Sequence, residues 1–359
     1  MTRSRRVLGT LAALVLAVGA LAACGDDDTS SEGASAKPVT IRLLTHDSFA
    51  VSDDVLAAFE KDTGIKVKVI QGGDAGTVVN QAILTKGNPQ ADVLFGIDST
   101  FLSRALDEGL FVPYQSEELA EVDDAFLLDA EHRVTPVDYG DVCLNYDKAH
   151  FAESGTPVPT TLEQLTGPAY RDLLVVENPA TSSPGLAFLL STIDHFGADG
   201  WEQYWKDLRA NGVTVTDGWE DAYYGRFSGG TTSEGDKPLV VSYASSPPAE
   251  VIYADPPVTE APTGVISAGC YRQVEGAGIL TGTKHEAQAR QLVDFLLSEP
   301  FQADVALSMF VYPVRTGVEL PPEFTDHAVA PADVAELDPT DIDAHRQEWI
   351  DRWTDLVIR

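Results

Sequence analysis

An open α/β architecture with room for two domains is what this sequence predicts. Residues 39–97 alternate strand, helix, strand, helix, strand, and a second block of the same kind opens at Leu173. About 320 residues remain beyond an N-terminal leader and linker, enough for two ordinary domains.

Val39 to Leu44 reads as a buried strand, and Val51 to Asp62 places Val55, Leu56 and Phe59 on one helical face. Ile65 to Ile70 alternates apolar residues with lysine, the pattern of a strand exposed on one side. The turn-like residues 71–76, a helix over Thr77 to Lys86 and a continuous apolar strand over Ala91 to Ile97 complete a unit whose grammar is that of a parallel sheet. Ligands of such sheets sit beyond the carboxyl ends of the strands. The loops carrying His46, Asp74 and Asp98 each follow a strand, so they are placed to meet one.

In the second block the strand Leu173 to Val176 leads through a polar turn into a helix from Leu186 through Phe196. Ser182 and Ser183 at that helix start can cap it, or can leave outward N–H groups for an anion. Val213 to Thr216 and Leu239 to Tyr243 are further strands, followed by Trp219 and by the loop Tyr243 to Ser246. Residues 344–358 space Trp349, Ile350, Trp353, Leu356 and Val357 as an amphipathic helix, and its tryptophans are expected in the core.

The first residues set the compartment. Arg3, Arg5 and Arg6 precede an apolar run from Val7 to Leu21, too short to span a bilayer comfortably, that ends in Leu21-Ala22-Ala23-Cys24. This is a lipoprotein signal over residues 1–23, with Cys24 the lipidated residue and 24–38 a Ser/Gly/Asp-rich tether that cannot bury enough apolar surface to fold. The protein is therefore expected outside the cytoplasm, held to the outer face of the cell membrane by lipid. Its formal net charge of −32 becomes three units more negative once the three arginines are removed. Such acidity favours solubility and excludes nucleic acid as a partner, since phosphate binding draws on clustered cations.

Cys143 and Cys270 have no CxxC spacing and no histidine cluster near them. Outside the cytoplasm an isolated pair points to a disulfide over a metal site, two buried thiols being the alternative. No GxSxG elbow, HExxH, P-loop or CxxC occurs. Carboxylates are so abundant that a chance pair could always be chosen, so no catalytic residue is assigned; a secreted hydrolase is the rival from another class.

Several segments in order resemble the thiamine-binding proteins that serve ABC importers, within a larger group that includes ferric-ion binders. They include Thr45-His46-Asp47-Ser48-Phe49, residues 91–98, 181–186 and 213–219, Ser242-Tyr243-Ala244-Ser245-Ser246-Pro247, and 346–350. The resemblance implies a two-lobe fold of the type II periplasmic-binding-protein kind, hinged by crossover strands, with the ligand in the interlobe cleft. The implied division is lobe 1 over 39–138, lobe 2 over 139–268, and a return to lobe 1 with C-terminal helices over 269–359. Ligand contacts carried over are Asp74, Ala75 (where the family usually has Gly), Ser182, Ser183, Trp219, Tyr243, Ala244, Ser245 and Ser246, with His46 standing where the family often has Tyr. Other departures are Val51 and Ser52 where a Trp is often found, Ala249 near the place of a Tyr, and Phe310 in place of a Trp.

The implied ligand is thiamine, its monophosphate or its diphosphate. Its thiazolium would lie against Trp219 or Tyr243, Asp74 would accept from the aminopyrimidine, and Ser182 and Ser183 would hold a hydroxyl or phosphate. The implied partner is an ABC permease; a monomer without cofactor, metal or enzymatic activity is expected. Ferric iron is the nearest rival. Its adjacent tyrosines would fall where this chain reads Tyr243-Ala244, and Tyr223-Tyr224 is expected on a helix near the cleft wall. Cys143 and Cys270 lie near the expected crossovers, so their disulfide would stiffen the hinge.

Overall fold

The computed structural model describes residues 39–335 and 337–359; the leader, the tether and Cys24 lie outside the described residues. Strand β1 (Thr40–Thr45), helix α1 (Asp53–Thr63), β2 (Lys66–Gln71), α2 (Ala75–Thr85) and β3 (Val93–Asp98) follow the order expected for the first block. Gly64 closes α1 at φ 69°, the left-handed geometry that favours glycine at a helix end. All six residues of β3 are buried, whereas β2 exposes its lysines, as the two hydropathy patterns require.

The remaining elements are α3 (Leu102–Asp107), β4 (Phe111–Val112), β5 (Thr135–Asp147), α4 (Lys148–Ser154), β6 (Leu174–Glu177), α5 (Ser183–Ala210), β7 (Thr214–Thr216), β8 (Leu239–Tyr243), α6 (Pro247–Ile252), β9 (Thr263–Leu280), α7 (Glu286–Leu296), α8 (Glu299–Ser308), β10 (Tyr312–Pro313), α9 (Pro322–Thr325) and α10 (Pro339–Val357). The helix expected to stop at Phe196 runs on to Ala210. Its backbone breaks at Gly197 (φ 69°) and then resumes, because Trp201, Tyr204, Trp205 and Leu208 supply a second buried stripe. Trp353 of α10 meets Trp205 edge-on at 5.4 Å and is fully buried, so it packs in the core as expected.

Among the described residues the strands form one sheet in the order β2-β1-β3-β9-β5-β8-β6-β7, with β4 paired to β9 and β10 to β5. The expected parallel sheet is corrected to a mixed one. β1 pairs in parallel with β2 and β3, and β6 with β7 and β8, but β9 and β5 run antiparallel to their neighbours. These two are the long strands, of 13 and 18 residues, and pair with each other from Thr135↔Ala277 to Asp147↔Thr263. They tie the two parallel lobes together. Cys143 on β5 and Cys270 on β9 form a disulfide across 127 residues of sequence, with Cα atoms 4.4 Å apart.

Candidate ligand-binding cavity

A cavity of about 320 Å³ opens beyond the carboxyl ends of β1, β3 and β8, a size suited to a small organic solute. The sequence expectation meets it at seven positions: His46, Asp74, Ala75, Ser183, Trp219, Tyr243 and Ser246 all line it. Ser182, Ala244 and Ser245 do not, and each is fully buried. Ser182 caps α5, its Oγ accepting from the Gly185 N–H at 3.4 Å. Ala244 packs on the disulfide, because its position just past β8 turns it toward β5 and away from the cleft.

Asp74 is more committed than the sequence suggests. Its Oδ1 accepts from the N–H groups of Ala75 (2.6 Å) and Ser183 (3.2 Å), and its Oδ2 from the Trp219 N–H (2.9 Å). It thus caps α2 while binding the start of α5 and the segment after β7, which belong to the opposite half of the sheet. Burial pushes its pKa upward against these donors. The close approach needs Gly76, where a Cβ would stand 2.7 Å from the Thr181 backbone. Because the Ser183 N–H already serves Asp74, the start of α5 is not the free anion site that its serine pair allowed.

The aromatic wall is built on Trp219. Its ring stacks on Tyr223 at 4.9 Å and 20°, and its Nε1–H donates to Ser242 Oγ at 2.9 Å. Ser246 Oγ lies 2.8 Å from Ser242 Oγ and accepts from the Tyr243 N–H, so the loop serines hold the indole in place. Tyr223 and Tyr224 sit on a wide helical turn over Asp221–Arg226, at the cavity wall as expected. Tyr243 donates its hydroxyl proton to Gln273 Oε1 (2.9 Å), and Gln273 Nε2–H donates to Ser183 Oγ (2.7 Å).

Residues that sequence reasoning missed complete the lining. Tyr253 lies one helical turn beyond Ala249 and meets Phe310 edge-on at 5.7 Å. The spacing of four was the signal that could have found it, since such residues share a helix face. Glu220, Glu275, Asp138 and Asp47 add carboxylates, beside Asp98, whose strand-end loop the sequence already placed to meet a ligand. No lysine or arginine is among the residues lining the cavity.

The electrostatics follow from this imbalance. Burial works to lower the His46 pKa, but Glu275, 3.3 Å from Nε2, with Asp74 and Asp47, outweighs it and the ring's pKa is raised. Burial pushes Asp98 up to about 6. Burial, with the nearby carboxylates, also raises the phenol of Tyr243 well above its usual value, and burial takes Tyr224 up to about 12. Phenolates of the kind hard-metal sites use are therefore disfavoured here.

Two hinged lobes and a cavity lined by rings and carboxylates define a solute-binding protein of the two-lobe, type II kind. The model of the bacterial extracellular solute-binding proteins matches residues 88–344. The chain belongs to that family. It is 32% identical over 331 residues to the thiamine-binding periplasmic protein of Salmonella typhimurium, covering 91% of this chain and 95% of the relative. A solved periplasmic thiamin-binding protein superposes with a TM-score of 0.80 at 28% identity, covering 90% of this chain and 98% of that one. Iron-bound HitA from Pseudomonas aeruginosa shares the fold, with a TM-score of 0.68 at 24% identity over 89% of this chain and 99% of its own.

Proposed function

We propose that this protein captures thiamine outside the cytoplasm and delivers it to an ABC permease. The observation that carries the reading is a cavity lined by aromatic rings and carboxylates, with no lysine or arginine in its lining. A permanently cationic heterocycle suits both kinds of group. Cation–π attraction contributes about 0.5–2 kcal/mol where water is excluded, and the carboxylates offset the ring charge. A phosphate meets neither. We assign the unphosphorylated vitamin as the preferred ligand and the mono- and diphosphates as weaker ones.

Calorimetry of the mature domain with thiamine, both phosphates and ferric citrate tests this. Thiamine is expected to bind tightest, and binding of ferric citrate alone would overturn the reading. Trp219→Ala should weaken thiamine at least tenfold, about 1.4 kcal/mol; wild-type affinity in that variant would mean the indole is not a ligand surface.

In this reading the ligand and the Asp74 bonds favour a closed arrangement of lobe 1 (39–138 and 269–359) over lobe 2 (139–268), and the closed form docks on the permease. The protein acts as a monomer tethered through lipidated Cys24, and Cys24→Ala is expected to release it into the medium of growing cells. It performs no turnover: incubation with thiamine diphosphate should release no phosphate, and catalytic release would favour the hydrolase reading.

A further inference from the structure

The floor of the cavity contains an arrangement that solute capture alone does not explain. Asp98 on β3 and Asp138 on β5 are both register partners of Glu275 on the intervening β9. Three carboxylates therefore stand in a row across three adjacent strands, where like charges directly opposite destabilise a sheet. Each outer strand reaches this register through an irregularity, between Phe95 and Ile97 in β3 and between Pro136 and Asp138 in β5. Such bulges re-aim side chains beside functional sites.

Asp98 is 1% and Asp138 2% exposed, both line the cavity, and each keeps an Oδ2 with no hydrogen-bond partner. Glu275 faces His46. The other charged or titratable groups that face the row are Asp74 from the start of α2, Tyr243 from β8 and, toward Asp98, Arg346 from α10.

We propose that the Asp98–Glu275–Asp138 row is the subsite for the ligand's cationic ring, and that the cation enters in exchange for a proton held between Asp138 and Glu275. A buried carboxylate, Asp138, directly beside the half-buried Glu275 cannot ionise cheaply while its neighbour is charged, so the empty row keeps a proton. An incoming permanent positive charge replaces it, and the proton leaves to solvent. Consistently, burial and the Glu275 charge raise Asp138 well above the ordinary carboxylate range. Affinity for the cation then rises with pH, by at most tenfold per pH unit for one exchanged proton.

This inference rests on the cationic-ligand reading, and the test separates the two. Mature protein is titrated calorimetrically at pH 7 with thiamine and with 1-methylnicotinamide, a permanently charged pyridinium, in phosphate and in Tris, whose ionisation enthalpies differ. Proton release appears as a binding enthalpy that depends on the buffer. The expected result is thiamine binding with about one proton released, and at least fivefold weaker binding with less release in Asp138→Asn.

A second readout needs no ligand. A carboxyl raised on folding contributes stability at low pH that is lost as pH rises from its unfolded value, about 4, through its folded value, about 6 for Asp98. Asp98→Asn is therefore expected to raise the melting temperature of the empty protein at pH 7.5 and to leave it nearly unchanged at pH 4. Thiamine binding with buffer-independent enthalpy overturns the row as a proton-exchange site, whatever the melting temperatures, and leaves the thiamine reading standing. Proton-linked binding of 1-methylnicotinamide without thiamine binding does the reverse. Binding of neither cation overturns both.

Discussion

Replacing Cys143 and Cys270 together by alanine is expected to lower the unfolding free energy by about 4 kcal/mol, because the closed loop they define is long and its closure entropy correspondingly large. For a chain of this size that is a fall in melting temperature of roughly 6 °C. Thermal unfolding followed by circular dichroism, with and without reductant, gives the measurement. The two cysteines join β5 and β9, the strands that carry the chain between the halves of the sheet. Reduction should thus act on the hinge before it acts on either lobe, and hydrogen exchange along these strands should rise first. An unchanged melting temperature in the double variant, or two free thiols by mass analysis of native protein, would show that the crosslink has no part in stability.

Asp74→Ala is expected to weaken thiamine binding about a hundredfold, with a smaller change in the stability of the empty protein. The substitution leaves the N–H groups of Ser183 and Trp219 without the acceptor they share. An unmet buried donor costs about 1–3 kcal/mol. These donors lie across the cleft from α2, so the cost falls on the arrangement in which the two halves meet. Water can satisfy the same groups when the cleft is open. A loss of about 2.7 kcal/mol in closing corresponds to the hundredfold figure. Calorimetry combined with small-angle scattering separates the two contributions: the variant should stay extended at thiamine concentrations that compact the wild type. Undiminished affinity would mean that Asp74 is only a helix cap.

The positions that were legible in the sequence are those whose setting is local. Asp74 precedes a helix, Ser183 opens another, and Trp219 and Tyr243 each follow or end a short apolar strand. Strand-end loops fall at one edge of an α/β sheet whatever its detailed topology, so all four reach the cavity. Ala244 and Ser245 fall outside the lining because adjacent loop residues point in different directions, and only the packing of Ala244 on the disulfide decides which side of the loop faces the cavity. Ser182 stays outside the cavity lining for a related reason, since as a helix cap it directs its hydroxyl to the start of its own helix.

Of the carboxylate row only Asp98, at the end of β3, was legible; Asp138, Glu275 and Gln273 were not. Those three come from β5 and β9, long strands whose sequences carry Gly, Asp, Glu and Gln at intervals and resemble no simple amphipathic pattern. Their neighbours are fixed by register, and a one-residue slip would send each side chain to the other face. The two irregularities that bring Asp98 and Asp138 level with Glu275 leave no signal in composition or periodicity.

The sequence by itself determined the α/β class, the order of the first five elements, the strand-end loops that reach the cavity and the acidic character of the chain, because each depends on neighbours a few residues apart or on a simple sum of charges. Tertiary structure alone decided that the sheet is mixed, that Asp74 ties two halves together, and that three carboxylates share the cavity floor. Those features join residues more than a hundred positions apart, and only strand register and the packing of the two halves bring such residues within hydrogen-bonding reach.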